Sequence, residues 1–315
     1  MEVLEDGQPA SAAGSVVTIG AYDGVHLGHQ HVIGQVRTLA RDWGLASTVA
    51  TFDRHPATVV RPESAPKLLT DLDQKLELLA ETGVDSCLVI RFDQTRSQES
   101  AEDFVTSVLV DQLRARVVVV GRDFHFGHRR RGDVTLLQRM GQSLGFDVHG
   151  LELVAGAGAG DGDGPPVSST RIRQLLAEGQ VEAAATMLGR DHEVRGQVRR
   201  GDGRGRELGF PTANVAIPTN ICLPADGIYA GRYRQPRGDA HPAALSLGRR
   251  PTFYDQSAGS LLEAYLLDFD GDLYDQPAAV QFHTRLRDEV RFDNVGDLVA
   301  QIDQDVRDTR RALTA

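Results

Sequence analysis

Thr18-Ile-Gly-Ala-Tyr-Asp-Gly-Val-His-Leu-Gly-His-Gln30 sets three glycines and two histidines directly after an apolar run. Val16, Val17 and Ile19 are β-branched and suit a buried parallel strand. Gly20 and Gly24 permit positive φ and let backbone approach a ligand closely, and a helix is expected to open near Gly28. The stretch therefore reads as strand, tight loop, helix. In that arrangement the free N–H groups and positive dipole end of the helix make an anion site. His26 and His29 stand beside it and can donate hydrogen bonds to phosphate oxygens. The same histidines also admit two plainer readings, an ordinary surface pair at a helix start or, with His31, metal ligands. The metal reading lacks a carboxylate or cysteine at a local spacing to complete the set.

Working outward, the segment 15–153 alternates short β-branched runs with longer periodic ones, which is the pattern of βαβ units. Strands are expected over 16–19, 46–51, 86–91, 117–120 and 147–153, and helices over 30–43, 71–82, 100–112 and 134–144. Parallel strands carry their following loops at one edge of the sheet, so 22–29, 52–56 and 121–132 should converge on one crevice. The glycine-rich run 155–166 reads as a loop, and 168–173 as a capped helix start with two arginines. A helix over 181–188 closes a first domain spanning 1–188. From 189 to 315 the texture changes to short alternating runs between glycine-rich turns, at 193–199, 227–233, 243–247, 262–269 and 278–286. These predict a small antiparallel barrel, followed by a terminal helix over 295–313.

Composition bounds the function. The 315 residues, 41% hydrophobic and 25% charged, can bury a sizeable core in two domains. A formal net charge of −10 opposes a nucleic-acid surface, for which the run Arg129–Arg131 is the lone argument. Cys87 and Cys222 stand far apart in no metal or redox spacing, as expected of free thiols in a reducing cytoplasm. The N-terminus shows no basic region ahead of an apolar core, and no apolar run approaches the roughly 20 residues that span a bilayer, so neither a secretory signal nor a membrane segment is expected.

Two further stretches carry chemistry. Gly121-Arg-Asp-Phe-His-Phe-Gly-His-Arg-Arg-Arg-Gly132 follows a strand and combines aromatic rings with arginines that could neutralise phosphates, although such a run is also an ordinary solvated one. Gly196-Gln-Val-Arg-Arg-Gly-Asp-Gly-Arg-Gly-Arg-Glu-Leu-Gly-Phe-Pro-Thr-Ala-Asn214 is not a Walker A loop, because no G-K-[ST] closes it. Its glycines would let backbone N–H groups wrap phosphates, and Thr212 and Asn214 offer neutral oxygen ligands for Mg²⁺. A glycine-rich hairpin turning at Pro211 is the bland alternative.

These strings, taken together, are similar to a known family. The form G-x-[FY]-D-G-V-H-x-G-H-Q resembles the nucleotidyltransferase signature in the adenylyltransferase module of prokaryotic bifunctional riboflavin kinase/FAD synthetases. The stretches 121–132 and 168–173 resemble that module's next motifs, and 196–214 resembles the riboflavin kinase signature. Asp226-Gly-Ile-Tyr-Ala230, Gly248–Phe253, Glu263–Tyr274 and Leu286–Phe292 resemble kinase segments in the same order. The resemblance implies an α/β doubly wound, Rossmann-like nucleotidyltransferase domain followed by a small antiparallel β-barrel kinase domain with a C-terminal helix. It implies the use of MgATP to turn riboflavin into FMN, and FMN into FAD with release of pyrophosphate.

By that resemblance the nucleotide contacts are Gly20, Asp23, Gly24, Gly28, Ser168, Ser169, Thr170, Gly201, Gly205 and Arg206. The flavin contacts are Pro56, Asp123, Phe126 and Arg287, with a surface salt bridge the close alternative for Arg287. His26, His29 and Arg173 would stabilise charge during adenylylation, and Glu263 would take the proton from the riboflavin 5′-hydroxyl. The FMN phosphate, already a nucleophilic dianion, needs no base. One departure stands out: Thr51-Phe-Asp-Arg-His-Pro56 holds Arg54 where the family has proline, in a loop that lines the flavin. Arg54 motivates one rival reading, a kinase whose first domain has altered specificity. A flavin-sensing or storage protein is a second rival. The expected partners are small molecules, with the chain a monomer or homo-oligomer.

Overall fold

The computed structural model describes residues 1–10, 13–152, 166–201, 203–235, 238–248 and 261–314. The expected motif at 248–253 and the glycine-rich run 155–166 therefore fall almost wholly outside the described residues. The chain divides into two compact units, Met1–Ser169 and Thr170–Ala315.

In the first unit the strands are β1 (Glu2–Glu5), β2 (Ser15–Ile19), β3 (Ala46–Phe52), β4 (Ser86–Ile90), β5 (Ala115–Gly121) and β6 (Asp147–Leu151). They form one sheet in the order β1-β4-β3-β2-β5-β6, parallel throughout. Every residue of β2 is buried, which is the consequence of packing helices on both faces of a parallel sheet. β5 shows how the faces divide. Val117 and Val119 pack with Val36 and Ala40 of α1 (Leu27–Trp43), while Val118 and Val120 join Phe104, Leu109 and Leu137 on the other side.

The remaining helices follow from local signals. Asp71 caps α3 (Leu72–Glu81) by accepting from Gln74 N, after two short helical turns that include α2 (Ala57–Val60). Beyond α4 (Gln94–Ser97), Ser100 caps α5 (Ala101–Phe104), which runs on as a π-helix over Val105–Gln112. Asp133 caps α6 (Val134–Leu144), and Gly145 ends it in the left-handed region that glycine adopts without strain.

The second unit opens within α7 (Ser169–Ala177), from Thr170 on, and continues with α8 (Val181–Leu188). Then come β7 (His192–Arg199), α9 (Arg204–Glu207), β8 (Ala213–Ala216), β9 (Gly227–Arg234), β10 (Ala240–Gly248), β11 (Leu261–Leu266) and β12 (Pro277–Arg287). These strands close into an antiparallel barrel in the order β10-β11-β8-β7-β12-β9. Alternation decides which side chains fill it: Leu262, Ala264 and Leu266 of β11 are buried, whereas Glu263 and Tyr265 between them are half-buried on the opposite face. The terminal helix α10 (Val295–Thr314) packs on the barrel through two arginine–carboxylate forks, Arg287–Asp305 and Arg310–Asp268.

Candidate active sites

The first site forms at the carboxyl ends of β2 and β3. His26 is the N-cap of α1: its Nδ1 accepts from His29 N at 3.3 Å, and the two imidazoles stack with centroids 3.6 Å apart and planes 14° apart. The ring of Tyr22 leans on His29 at 4.9 Å, and its hydroxyl meets Thr18 Oγ1 at 2.7 Å. Burial, then the neighbouring His26, then the cation of Lys75 hold His29 well below the ordinary histidine range, so the ring is neutral. His29 Nδ1 is a buried nitrogen with no hydrogen-bond partner among the described residues. Such an atom is costly unless a ligand or water meets it.

The loop between β2 and α1 is strained and held. Tyr22 and Val25 have φ of 50° and 39°, positions that bulky and β-branched residues avoid, and both are buried. Asp23 supplies the restraint: its carboxylate accepts from Leu69 N at 2.9 Å and Thr70 N at 3.1 Å, while Gly24 N donates to Thr70 Oγ1. The acid expected at the nucleotide thus has its carboxylate turned to the backbone of 69–70. Ser169 Oγ donates to Asp23 O at 2.9 Å, and a Cβ on Gly28 would lie 3.5 Å from Val167 O. The structure therefore brings 167–169 against the histidine loop. Thr170 and Arg173 lie on α7 in the second unit.

Of the expected flavin contacts, Pro56 caps the short α2 and Asp123 is exposed at the end of β5. Phe126 is 9% exposed, stacked 5.3 Å from Phe124 and packed on Phe104 in the core, and its N–H and C=O both pair with Gly132. Phe126 thus sits in the core with Phe52 and Phe124 packed against that cluster, which places 52–56 and 121–132 at the same sheet edge. Arg54 lies over its neighbour, donating to Asp53 Oδ2 from Nε and Nη2, and is exposed. His31 is exposed, and among the described residues no group of three or more His, Cys, Asp or Glu could hold a metal ion. A groove of about 700 Å³ lies at the other end of the sheet, lined by Trp43, Arg116 and Phe146, and contains none of the motif residues.

The second site lies on the outer face of the barrel. Glu263 of β11 stands directly opposite Asn214 of β8 and Ser246 of β10, a placement that brings facing Cβ atoms to about 5 Å. Asn214 Oδ1 is buried and has no partner among the described residues. Gly201 presses on the same side chain, since a Cβ there would fall 2.4 Å from Asn214 Nδ2. Gly205 lies under Phe210 O and 3.4 Å from Thr212 Oγ1 by the same measure. Phe210 meets the ring of Tyr265 edge-on at 5.4 Å, beside Glu263. Arg206 is exposed at the end of α9.

Residues 8–171 match the FAD synthetase family model and residues 188–313 the riboflavin kinase family model. The chain belongs to the bifunctional riboflavin kinase/FMN adenylyltransferase family. The relatives of that name in Listeria monocytogenes and Escherichia coli are 37% and 36% identical to it. The alignments cover 94% of this chain in both cases, and 91% and 92% of the respective relatives. A crystal structure described as a macrolide-efflux protein from Streptococcus pneumoniae superposes with a TM-score of 0.86 at 28% identity, over 98% of this chain and 99% of that one. Among the described residues no helix is long and apolar enough to cross a membrane.

Within this family frame two placements are informative. Arg287, expected at the flavin, forks onto Asp305 of α10 at 2.8 and 2.6 Å and donates to Asp288 O. Asp305 is 5% exposed, so removing the guanidinium leaves a buried carboxylate to which, among the described residues, the Gln301 side chain still donates. Arg287→Met is expected to lower the stability of the barrel unit by about 3 kcal/mol in chemical unfolding, with Asp305→Leu added to it recovering most of the loss. Lys75, which sequence reasoning passed over, is 7% exposed beneath the first site. Its signal was its position four residues before Leu79, on the buried stripe of α3.

Proposed function

We infer that the chain carries out both reactions of its family, phosphorylating riboflavin to FMN and adenylylating FMN to FAD, and propose that they run at the two clusters just described. What carries this reading is that each cluster ends in a buried polar atom without a partner among the described residues, His29 Nδ1 in one and Asn214 Oδ1 in the other, where its motif calls for phosphate or metal.

In the first cluster, His29, held neutral, and His26 bind the ATP phosphates by donation. With Nδ1 of His26 accepting from His29 N, the proton of a neutral His26 ring sits on Nε2. Gly20, Gly24, Gly28 and the first N–H groups of α1 line the phosphates, with Ser168, Ser169, Thr170 and Arg173 completing the nucleotide contacts. A phosphate oxygen of FMN attacks the α-phosphorus, the bond to the pyrophosphate oxygen breaks, and histidine and arginine donors stabilise the charge that develops. Pro56, Asp123 and Phe126 belong to the flavin side of this cluster, with Phe126 acting through the packing of its loop. Arg54 is exposed and tied to Asp53, and conversion of FMN to FAD by the wild-type chain is the sign that this loop tolerates it.

In the second cluster, Glu263 accepts the proton of the riboflavin 5′-hydroxyl as that oxygen attacks the γ-phosphorus and ADP departs. Gly201, Gly205 and Arg206 hold the nucleotide. The donor set suits a hard cation: Thr212 offers a hydroxyl and Asn214 an unpaired buried carbonyl oxygen, and together they would hold Mg²⁺. When bound, the ion neutralises charge on the β- and γ-phosphates. Arg287 supports this unit by fixing α10. We place the boundary between the two modules at 188/189 and the protein in the cytoplasm, where its two buried cysteines, one in each unit, stay as free thiols.

A time course with riboflavin, ATP and Mg²⁺, resolved by chromatography, tests the reading. FMN that rises and then gives way to FAD is the expected result. FMN that accumulates without FAD would reject the adenylylation assignment, and untouched riboflavin would favour a flavin-binding protein.

A further inference from the structure

Thirty-two of the 34 basic side chains in this sequence are arginines; Lys67 and Lys75 are the exceptions. Lys75 is also buried, and among the described residues its ammonium hydrogen-bonds to neutral oxygens rather than to a carboxylate. Its ammonium donates to Phe52 O at 2.7 Å, Thr51 Oγ1 at 3.2 Å and Ala21 O at 3.3 Å, so three acceptors match its three hydrogens. Thr51 Oγ1 in turn donates to Ala21 O. A planar guanidinium fork does not reproduce this compact three-way junction. Ala21 precedes the strained Tyr22 in the histidine loop, and Phe52 opens the stretch that leads to Pro56.

We propose that Lys75 is a positioning residue for FMN adenylylation: its ammonium ties the carbonyl end of β2 to that of β3 and sets the spacing between the histidine loop and the loop 52–56. This rests on reading the first cluster as the adenylylation site. Burial of a cation with three neutral acceptors is costly for stability alone, and burial lowers the affinity of Lys75 for its proton, against the opposing pull of Asp23, Cys87 and Asp53. The position makes sense where two loops must be registered to within a fraction of an ångström. The charge has a second effect. His29 faces His26 and Tyr22 from its own loop and Lys75 from α3, and the cation adds to the forces that keep His29 neutral.

The test compares the full chain with Lys75→Met and Lys75→Arg, using riboflavin phosphorylation in the same polypeptide as the control for the second unit and the chemical unfolding transition of the first unit as the check that it is folded. For Lys75→Met, kcat/KM for FMN adenylylation is expected to fall about 100-fold, with KM for FMN raised and the kinase rate unchanged. The acid limb of its pH profile moves up, because His29 loses a neighbouring cation. Lys75→Arg loses kcat/KM but keeps the limb in place. If the first unit of Lys75→Met fails to fold, Thr51→Val removes one acceptor and leaves the charge, and a smaller rise in KM for FMN is expected. A uniform fall in kcat with unchanged KM and pH profile would reduce Lys75 to a structural role, and wild-type kinetics in Lys75→Met would overturn the proposal outright. Failure of the wild-type chain to make FAD would refute the site assignment instead.

Discussion

Glu263→Gln is expected to stop FMN formation by a factor of about 10²–10⁴ while supplied FMN is still converted to FAD. The substitution keeps the size of the side chain and its place opposite Asn214 and Ser246, so the barrel loses little packing. What disappears is an acceptor basic enough to take a proton from a primary alcohol. Loss of an interaction made only in the transition state lowers kcat and kcat/KM together and leaves KM for riboflavin nearly unchanged. Near wild-type phosphorylation by Glu263→Gln would remove Glu263 from the chemistry and leave it an ordinary outward residue of β11.

His26→Asn separates two roles that one side chain holds. Asparagine is among the best N-caps, so α1 keeps its start and the unit its stability, whereas His26→Ala is expected to cost about 1 kcal/mol more. Neither variant offers an imidazole N–H to phosphate, and FAD formation from FMN and ATP should fall about 10²–10³-fold in both. Riboflavin phosphorylation should be untouched. A His26→Asn chain that makes FAD at the wild-type rate would confine His26 to capping. The wild-type pH profile bears on the partner ring. His29 is held below the ordinary histidine range and protonates only in more acid solution, so its neutral donor form, and with it adenylylation, should persist below the usual imidazole pKa.

Much of this was readable in the order of residues. The β-branched runs and the caps at Asp71, Ser100 and Asp133 mark the parallel unit, and the alternation around Glu263 marks the barrel. β1 and β8 were not expected, for a shared reason: Glu2-Val-Leu-Glu5 and Ala213-Asn-Val-Ala216 are short and poor in strand-forming residues, and pairing with β4 and with β7 and β11 makes them strands. The expected run 262–269 passes the end of pairing, where the strand is Leu261–Leu266, and of the expected 147–153 the described residues form Asp147–Leu151, with 153 outside them. Within the sites, sequence pointed to residue types but not to their direction. Asp23 and Arg287 were expected at ligands by the family resemblance, with a salt bridge as the open alternative for Arg287; in the structure the Asp23 carboxylate accepts from the backbone of 69–70 and Arg287 forks onto Asp305. Lys75 was hidden by the habit of reading a helical lysine as solvated.

β1 also has a bearing on solubility. A barrel closed on itself offers no free edge, but the parallel sheet has one edge at β1, which pairs with β4 from Ser86 to Val89. Glu2 and Glu5 place negative charge along that rim, a gatekeeping device against strand-to-strand aggregation. Trimming these few residues would bare a strand whose Cys87 and Leu88 are wholly buried. The handling of the N-terminus during purification therefore bears directly on whether the first unit stays monodisperse.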